Sequence, residues 1–301
     1  MQQNKVLGKV DSINKGANYA NTSLILEDKS RLNVKLDQVD DSILQVGKIY
    51  EFELETYLRE EVTNYRALAI RPIEDLGLDS DTFNNIQSNF YDFAPLPLSV
   101  MKKEIEVFLN KIENKVLFEV TNNIYRKYQN VFYTHPAATK FHHAYVGGLA
   151  YHTLTMLKMI EPLVNIYSYL NKDLLYAATL LHDISKINEM TGVDGEYTTE
   201  GLLLGHLVMG SIEIEKAALV LGYQDTEEVM LLKHLMIAHH GQLTFGSPKK
   251  PQTGEALLLW FIDTMDSKFT ELGNELDKVK PGEFTQAIGV LDKMRFYKPK
   301  I

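Results

Sequence analysis

The sequence predicts an α+β multidomain chain: a small β-barrel over residues 1–75, a connector at 76–99, and an all-helical domain over 100–301. Three observations carry this division. Between Lys5 and about Pro72 hydrophobicity alternates with period two, whereas from Met101 onward apolar residues recur at three- and four-residue spacing. All nine histidines fall between His135 and His240, inside the helical part.

The first region divides into five strands, near 6–13, 20–26, 31–36, 49–58 and 63–70. Leu32, Val34 and Leu36 alternate with Asn33, Lys35 and Asp37, and Tyr50, Phe52 and Leu54 alternate with Glu51, Glu53 and Glu55. Each strand therefore has one dry and one wet face. The turn Glu27-Asp28-Lys29-Ser30 links the second and third. Five short strands in some seventy residues suit a Greek-key barrel such as an OB-fold, which binds single-stranded nucleic acid by aromatic stacking and positive charge. Tyr19, Tyr57, Tyr65, Lys35, Arg59 and Arg66 are the candidates, Tyr65 and Arg66 foremost. The same tyrosines also read as cross-strand packing pairs, and Glu51, Glu53, Glu55, Glu60 and Glu61 make the barrel acidic.

The connector is interrupted by Gly77, Asp79, Asp81 and Pro95-Leu96-Pro97, with a short helix conceivable at 84–93. Helical spacing returns from Met101 to Tyr128, where Ile105, Phe108, Leu109 and Ile112 share a face. Residues 133–153 carry the first chemistry: His135 before Pro136 in a turn, the adjacent His142 and His143, and Gly147-Gly148, which allows close backbone approach ahead of a helix bearing His152.

Residues 180–186 read Leu-Leu-His-Asp-Ile-Ser-Lys. Leu174, Ala177, Ala178 and Leu181 form a buried helical face, with Asn171 or Asp173 as its cap. His182 and Asp183 thus project from the end of a core helix, one neutral nitrogen ligand beside one anionic oxygen. Alone, the pair reads more readily as a hydrogen-bonded structural pair than as two ligands. A helix from Gly201 to about Leu221 carries His206 near its start. Another, from Glu227 to His240, stops at Gly241. Adjacent residues on a helix point about 100° apart, so His239 and His240 can share an ion only where that helix is ending. His234 reads as a packed or capping residue. The loop 245–251 brings Lys249 and Lys250, which read as a substrate clamp or as a solvated tip. A last helix, about 253–276, carries Asp263 and Asp266 three apart on one face, and 278–301 reads as a closing helix with a basic end.

The ordered series His152, His182-Asp183, His206, His239-His240, Asp263 resembles the two-metal form of the HD-domain phosphohydrolases. His135-Pro136-Ala137-Ala138, His142-His143-Ala144-Tyr145, Gly147-Gly148-Leu149 and His152-Thr153, behind an N-terminal barrel, are similar to the YhaM-type 3′–5′ exoribonucleases. The resemblance implies an OB-fold followed by an HD domain and two divalent ions bridged by Asp183. His152, His182 and Asp263 would complete one site, and His206, His239 and His240 the other. Imidazole and carboxylate donors without cysteine suit a catalytic centre; Mn²⁺ is favoured, with Mg²⁺, Fe²⁺, Co²⁺, Ni²⁺ and Zn²⁺ as alternatives. Lys186 and His143 would meet charge on the phosphate, Asp266 or Lys268 would stand behind the ligands, and the product would be a nucleoside 5′-monophosphate from single-stranded RNA, with single-stranded DNA left open.

Composition sets limits on partners. A formal net charge of −9 argues against coating nucleic acid by bulk electrostatics. The chain has no cysteine, which removes thiolate metal sites and disulfides. No secretory signal and no apolar span of membrane length is visible, so a cytoplasmic protein without membrane association is expected; a homo-oligomer is compatible with the sequence. Two rivals remain: the same centre acting on a small nucleotide, and a nucleic-acid-binding adaptor with an inactive helical domain. A cyclic-dinucleotide substrate is disfavoured, because Gly246-Ser247-Pro248 differs from the Gly-Tyr-Pro signature of that branch.

Overall fold

The structure, a computed structural model, describes residues 3–17, 19–139 and 143–301. The chain separates into two compact units, 1–93 with 192–196, and 94–191 with 197–301.

The first unit is a closed barrel of β1 (Gln3–Gly16), β2 (Tyr19–Leu26), β3 (Arg31–Lys35), β4 (Ile49–Arg59) and β5 (Val62–Pro72), in the order β1-β2-β3-β5-β4. β1 pairs antiparallel with both β2 and β4, bulging between Val10 and Ser12 against β2, and β3 meets β5 in parallel. That bulge lets one long strand belong to both sides of the barrel. The alternation closes as expected: Val10, Leu24, Val34, Phe52, Leu54 and Ala67 are buried inside. Part of the stretch read as a connector is structured within this unit. Asp79 caps α1 (Ser80–Phe90) by accepting from the Thr82 N–H, and Ile86 and Phe90 pack with Ile49 and Ile73.

The second unit is helical. The spacing over 101–128 resolves into α2 (Leu98–Leu109) and α3 (Lys115–Phe132), separated where Asn114 caps the latter. Then come α4 (Gly148–Ile166), α5 (Lys172–Leu181), the single turn α6 (Lys186–Glu189), α7 (Thr199–Leu221), α8 (Glu227–Ala238) and α9 (Gly254–Asp277). Asn171 is the cap of α5, accepting from the Leu174 N–H, while Asp173 accepts instead from the Glu113 and Asn114 N–H groups. α5 is buried along its length and its neighbours pack around it. The end of this central helix is therefore where groups from several helices can meet. No helix among the described residues is long and apolar enough to cross a membrane.

The tail differs from its expectation. Past Pro281-Gly282 it forms antiparallel bridges, Phe284 to Tyr297 and Ile288 to Met294, closing over a short 3₁₀ turn at Gly289–Leu291. Asp292 and Lys293 take left-handed backbone there, which ends any helix.

Candidate metal centre

Five elements deliver the ligand series to one place. His182 ends α5 and Asp183 follows; His152 comes from α4, His206 from α7, His239 and His240 from the end of α8, and Asp263 from α9. Asp183 is almost wholly buried and central. Its Oδ2 lies 3.3 Å from His182 Nε2 and 3.8 Å from His152 Nε2. Its Oδ1 lies 3.4 Å from His206 Nε2 and 3.7 Å from His239 Nε2. Asp263 Oδ1 adds a second carboxylate 3.4 Å from His152 Nε2. His240 Nε2 stands 3.3 Å from His206 Nε2.

The far side of each ring fixes which nitrogen faces inward. His182 Nδ1–H donates to Thr179 O and His239 Nδ1–H to Met236 O, both at 2.8 Å. His152 Nδ1–H donates to Asp266 Oδ2 at 2.6 Å, and His206 Nδ1–H to Glu189 Oε2 at 2.9 Å. A ring protonated on Nδ1 turns a lone pair inward at Nε2, which is how outer partners prepare a metal ligand. Two such atoms, on His152 and His182, face each other at 3.2 Å. His239 Nε2 is buried without a hydrogen-bond partner. Lone pairs converging on carboxylates, one of them orphaned, fit a divalent cation.

The electrostatics agree. Burial opposes charge on Asp183, yet Lys186 and His182 hold it well below the usual carboxylate range. Burial, with the neighbouring His240 and His182 rings, drives His239 down to about 3, so the ring is neutral at physiological pH. Burial also opposes charge on His152, but Asp263 and Asp266 outweigh it and lift the ring to about 9. A cation entering here competes with a proton.

Local chain breaks make the geometry. Within α7, Gly205 has φ 71° and ψ 156°, a region only glycine occupies readily, so the helix read as continuous is interrupted one residue before His206. The His206 N–H then donates to Glu189 Oε1 at 3.0 Å, and its ring turns toward Asp183. α8 stops at Ala238, which lets His239 and His240 diverge, and Gly241 follows with φ 75°. A Cβ on Gly241 would collide with the Trp260 indole. The centre opens into a cavity of about 430 Å³ bordered by Asp183, Lys186, His206, His240, Trp260 and Asp263.

The HD domain family matches residues 149–267, a span that holds every candidate ligand. Over 279 residues the chain is 38% identical to the 3′-5′ exoribonuclease YhaM of Geobacillus sp. (strain WCH70), covering 92% of this chain and 85% of that protein. It is 42% identical over 212 residues to YhaM of Bacillus licheniformis, 70% and 67% covered, and 38% identical over 240 residues to YhaM of Bacillus subtilis (strain 168), 79% and 76% covered. The chain belongs to the YhaM family of 3′–5′ exoribonucleases.

Other residues singled out in this YhaM-family sequence are distributed unevenly. Lys186 reaches the centre, with Nζ 2.6 Å from Asp183 Oδ2. His143 lies behind it. Its Nε2–H donates to Asp266 Oδ2 at 2.7 Å and its Nδ1 accepts from the Tyr145 hydroxyl at 2.6 Å. With both nitrogens engaged and the ring 1% exposed, His143 holds Asp266 from behind the centre. His142 lies outside the described residues. His135 is buried between the Pro136 and Met190 carbonyls, and His234 accepts from the Gln252 N–H ahead of α9. Lys249 and Lys250 are exposed, and Lys250 lines a second cavity next to the first.

On the barrel, Arg66 is paired with Asp37 and Glu55, and its guanidinium lies 4.9 Å from the Tyr57 ring centre. Tyr65 packs against the barrel core, whereas Tyr19 is 60% exposed. The packing role thus accounts for Tyr65 and Tyr57, and Arg66 has its charge matched within the barrel. Sequence reasoning missed Glu189 altogether. An acid ten residues ahead of α7 has no pattern to mark it.

Proposed function

We infer that this chain is a metal-dependent 3′–5′ exoribonuclease that hydrolyses the phosphodiester bonds of single-stranded RNA from its 3′ end, releasing nucleoside 5′-monophosphates in the cytoplasm. The single observation that carries the reading is the convergence of four imidazole Nε2 atoms on the two oxygens of Asp183, beside a cavity large enough for a nucleotide.

The mixed imidazole and carboxylate donors fit two divalent ions, for which Mn²⁺ is our first choice. His152, His182, Asp183 and Asp263 would hold one, and Asp183, His206, His239 and His240 the other. Bound there, such ions supply Lewis acidity to a phosphodiester and lower the pKa of water toward neutrality. The chain supplies the rest. Asp266 and Glu189 lock the His152 and His206 rings in the ligating tautomer. Lys186, pushed above its ordinary value because Asp183 outweighs the effect of burial, keeps its positive charge at the cavity wall. From there its ammonium can swing from Asp183 to a non-bridging phosphate oxygen, where charge builds as the bond to the 3′ oxygen breaks. Lys250, exposed beside the cavity, would meet the strand backbone.

The test is a 5′-labelled oligoribonucleotide incubated with Mn²⁺ or with chelator. A ladder of strands shortened one nucleotide at a time, formed with metal only, is the expected result. Intact strands under every divalent ion tried, or internal cuts without a ladder, would refute the assignment.

A further inference from the structure

We propose that Trp260 is the platform on which the strand stacks at the cleavage point, and that the cavity beyond it, walled by Gln242, Thr244 and Lys250, receives the next nucleotide upstream. The proposal rests on the exonuclease reading above and adds to it where the substrate lies.

Among the described residues, Trp260 is the one that lines both of two neighbouring spaces. It lines the metal-side cavity of about 430 Å³ and also a second cavity of about 490 Å³. It stands on α9 three residues before Asp263, so the two side chains share a face and the indole is set one helical turn from a candidate ligand. Its position is built rather than incidental. The indole sits against Gly241, the residue after candidate ligand His240, where any Cβ would collide with the ring. Phe261 flanks it, ring centres 5.1 Å apart with a 35° tilt. The indole is only half-buried, which leaves surface for a ligand.

The second cavity has the chemistry of a nucleotide's neighbour. Lys250 offers a cation for a phosphate, while Gln242 and Thr244 offer hydrogen-bonding groups for a sugar or base edge. An aromatic plane between two nucleotide-sized spaces recognises a base by its π-face, and every base has one. Such a site grips a strand without reading its sequence, as an enzyme that shortens RNA stepwise requires. It also makes the shortest well-bound substrate one that spans both spaces, with a nucleotide on each side of the scissile phosphate.

Trp260 is the only tryptophan in the chain, so tryptophan emission reports on this side chain alone. Mn²⁺-loaded protein is titrated with a phosphorothioate-linked pentaribonucleotide that resists cleavage, and binding is followed in parallel by anisotropy of a 5′-fluorescein label. Saturable quenching that tracks the anisotropy is the expected result. On cleavable strands, Trp260→Ala raises KM about tenfold to a hundredfold, with its Mn²⁺ content equal to that of the parent. Trp260→Phe, which keeps a ring to stack on, recovers most of the loss. Lys250→Glu raises KM about tenfold for a pentanucleotide. Binding seen by anisotropy with unchanged tryptophan emission, or a parent-like KM in Trp260→Ala, overturns the platform; a parent-like KM in Lys250→Glu overturns the second space. If the parent shortens no strand at all, the exonuclease reading falls first, so the two failures are distinguishable.

Discussion

Removing the Asp266 carboxylate is expected to weaken one half of the metal centre and spare the other, while removing Glu189 does the reverse. Asp266 Oδ2 takes the Nδ1–H of His152 at 2.6 Å and the Nε2–H of His143 at 2.7 Å. Glu189 takes both the ring and the backbone N–H of His206. Neither carboxylate is among the proposed ligands. Each holds a ring, so its loss costs orientation and basicity of that ligand. Loss of such an outer partner lowers metal affinity about 10- to 100-fold, or about 1.4–2.8 kcal/mol at 1.4 kcal/mol per decade. That range agrees with one hydrogen bond to a charged acceptor, about 1.5–3 kcal/mol.

Calorimetric titration of Mn²⁺ into chelator-stripped protein is the assay, with circular dichroism to show that each variant folds. Asp266→Ala is expected to weaken one binding step by that factor and Glu189→Ala the other. Asp266→Asn, whose amide oxygen can still accept from His152, falls between Asp266→Ala and the parent. Should both alanine variants weaken the same step, the division of ligands into a His152 half and a His206 half is wrong. Should neither change any step, the convergence on Asp183 is not a metal centre of this form.

Three further outcomes follow from the same geometry. Asp183→Asn removes the charge shared by both halves and is expected to lower ribonuclease turnover at least about a thousandfold with loss of bound Mn²⁺; retained turnover on a labelled strand would contradict it. Gly205→Ala places a Cβ at φ 71°, ψ 156°, a cost of about 1–3 kcal/mol, so its melting temperature and Mn²⁺ affinity should both fall, and an unchanged pair of values would show that His206 needs no break in α7. Glu213 accepts from Lys127, Lys216 and Tyr128, and these outweigh burial to hold it below the ordinary glutamate value of 4.5. Its contribution, about 1 kcal/mol because Lys127 is half exposed, is complete above that value and lost as pH falls through the depressed one. The stability gap between parent and Glu213→Gln in urea titrations should accordingly be full at pH 7 and shrink below about pH 4.5.

What the sequence made legible was decided by chemistry more than by pattern. The barrel could be read because alternation is a direct record of which face is dry, and Val10, Leu24, Val34, Phe52 and Leu54 are inside as that alternation requires. The convergence of the histidine and aspartate series could be anticipated because histidine is scarce and confined to one region, and because two of its members end helices where a side chain can leave the core. The break at Gly205 was not legible. Leu202, Leu203 and Leu204 before it read as the opening of one continuous helix, and the first two are 74% and 78% exposed. The tail misled in the same way: Phe284, Ile288 and Leu291 have helical spacing, but Pro281-Gly282 and the left-handed Asp292 and Lys293 fold it back on itself.

The deeper asymmetry lies in what orients the ligands. Of the four rings that face Asp183, two are held by carboxylates and two by main-chain carbonyls, those of Thr179 and Met236. A carbonyl belongs to every residue, so its role leaves no trace in residue identity; it is set by where α5 and α8 end. Asp266 could be anticipated because it shares a face with Asp263, and Glu189 could not, because the turn that brings it to His206 is itself created by the chain breaks on either side. The convergence on Asp183 is therefore specified half by side chains that a reader of the sequence can name and half by helix ends. Substitutions that shift the end of α5 or α8 should damage it as surely as loss of a ligand.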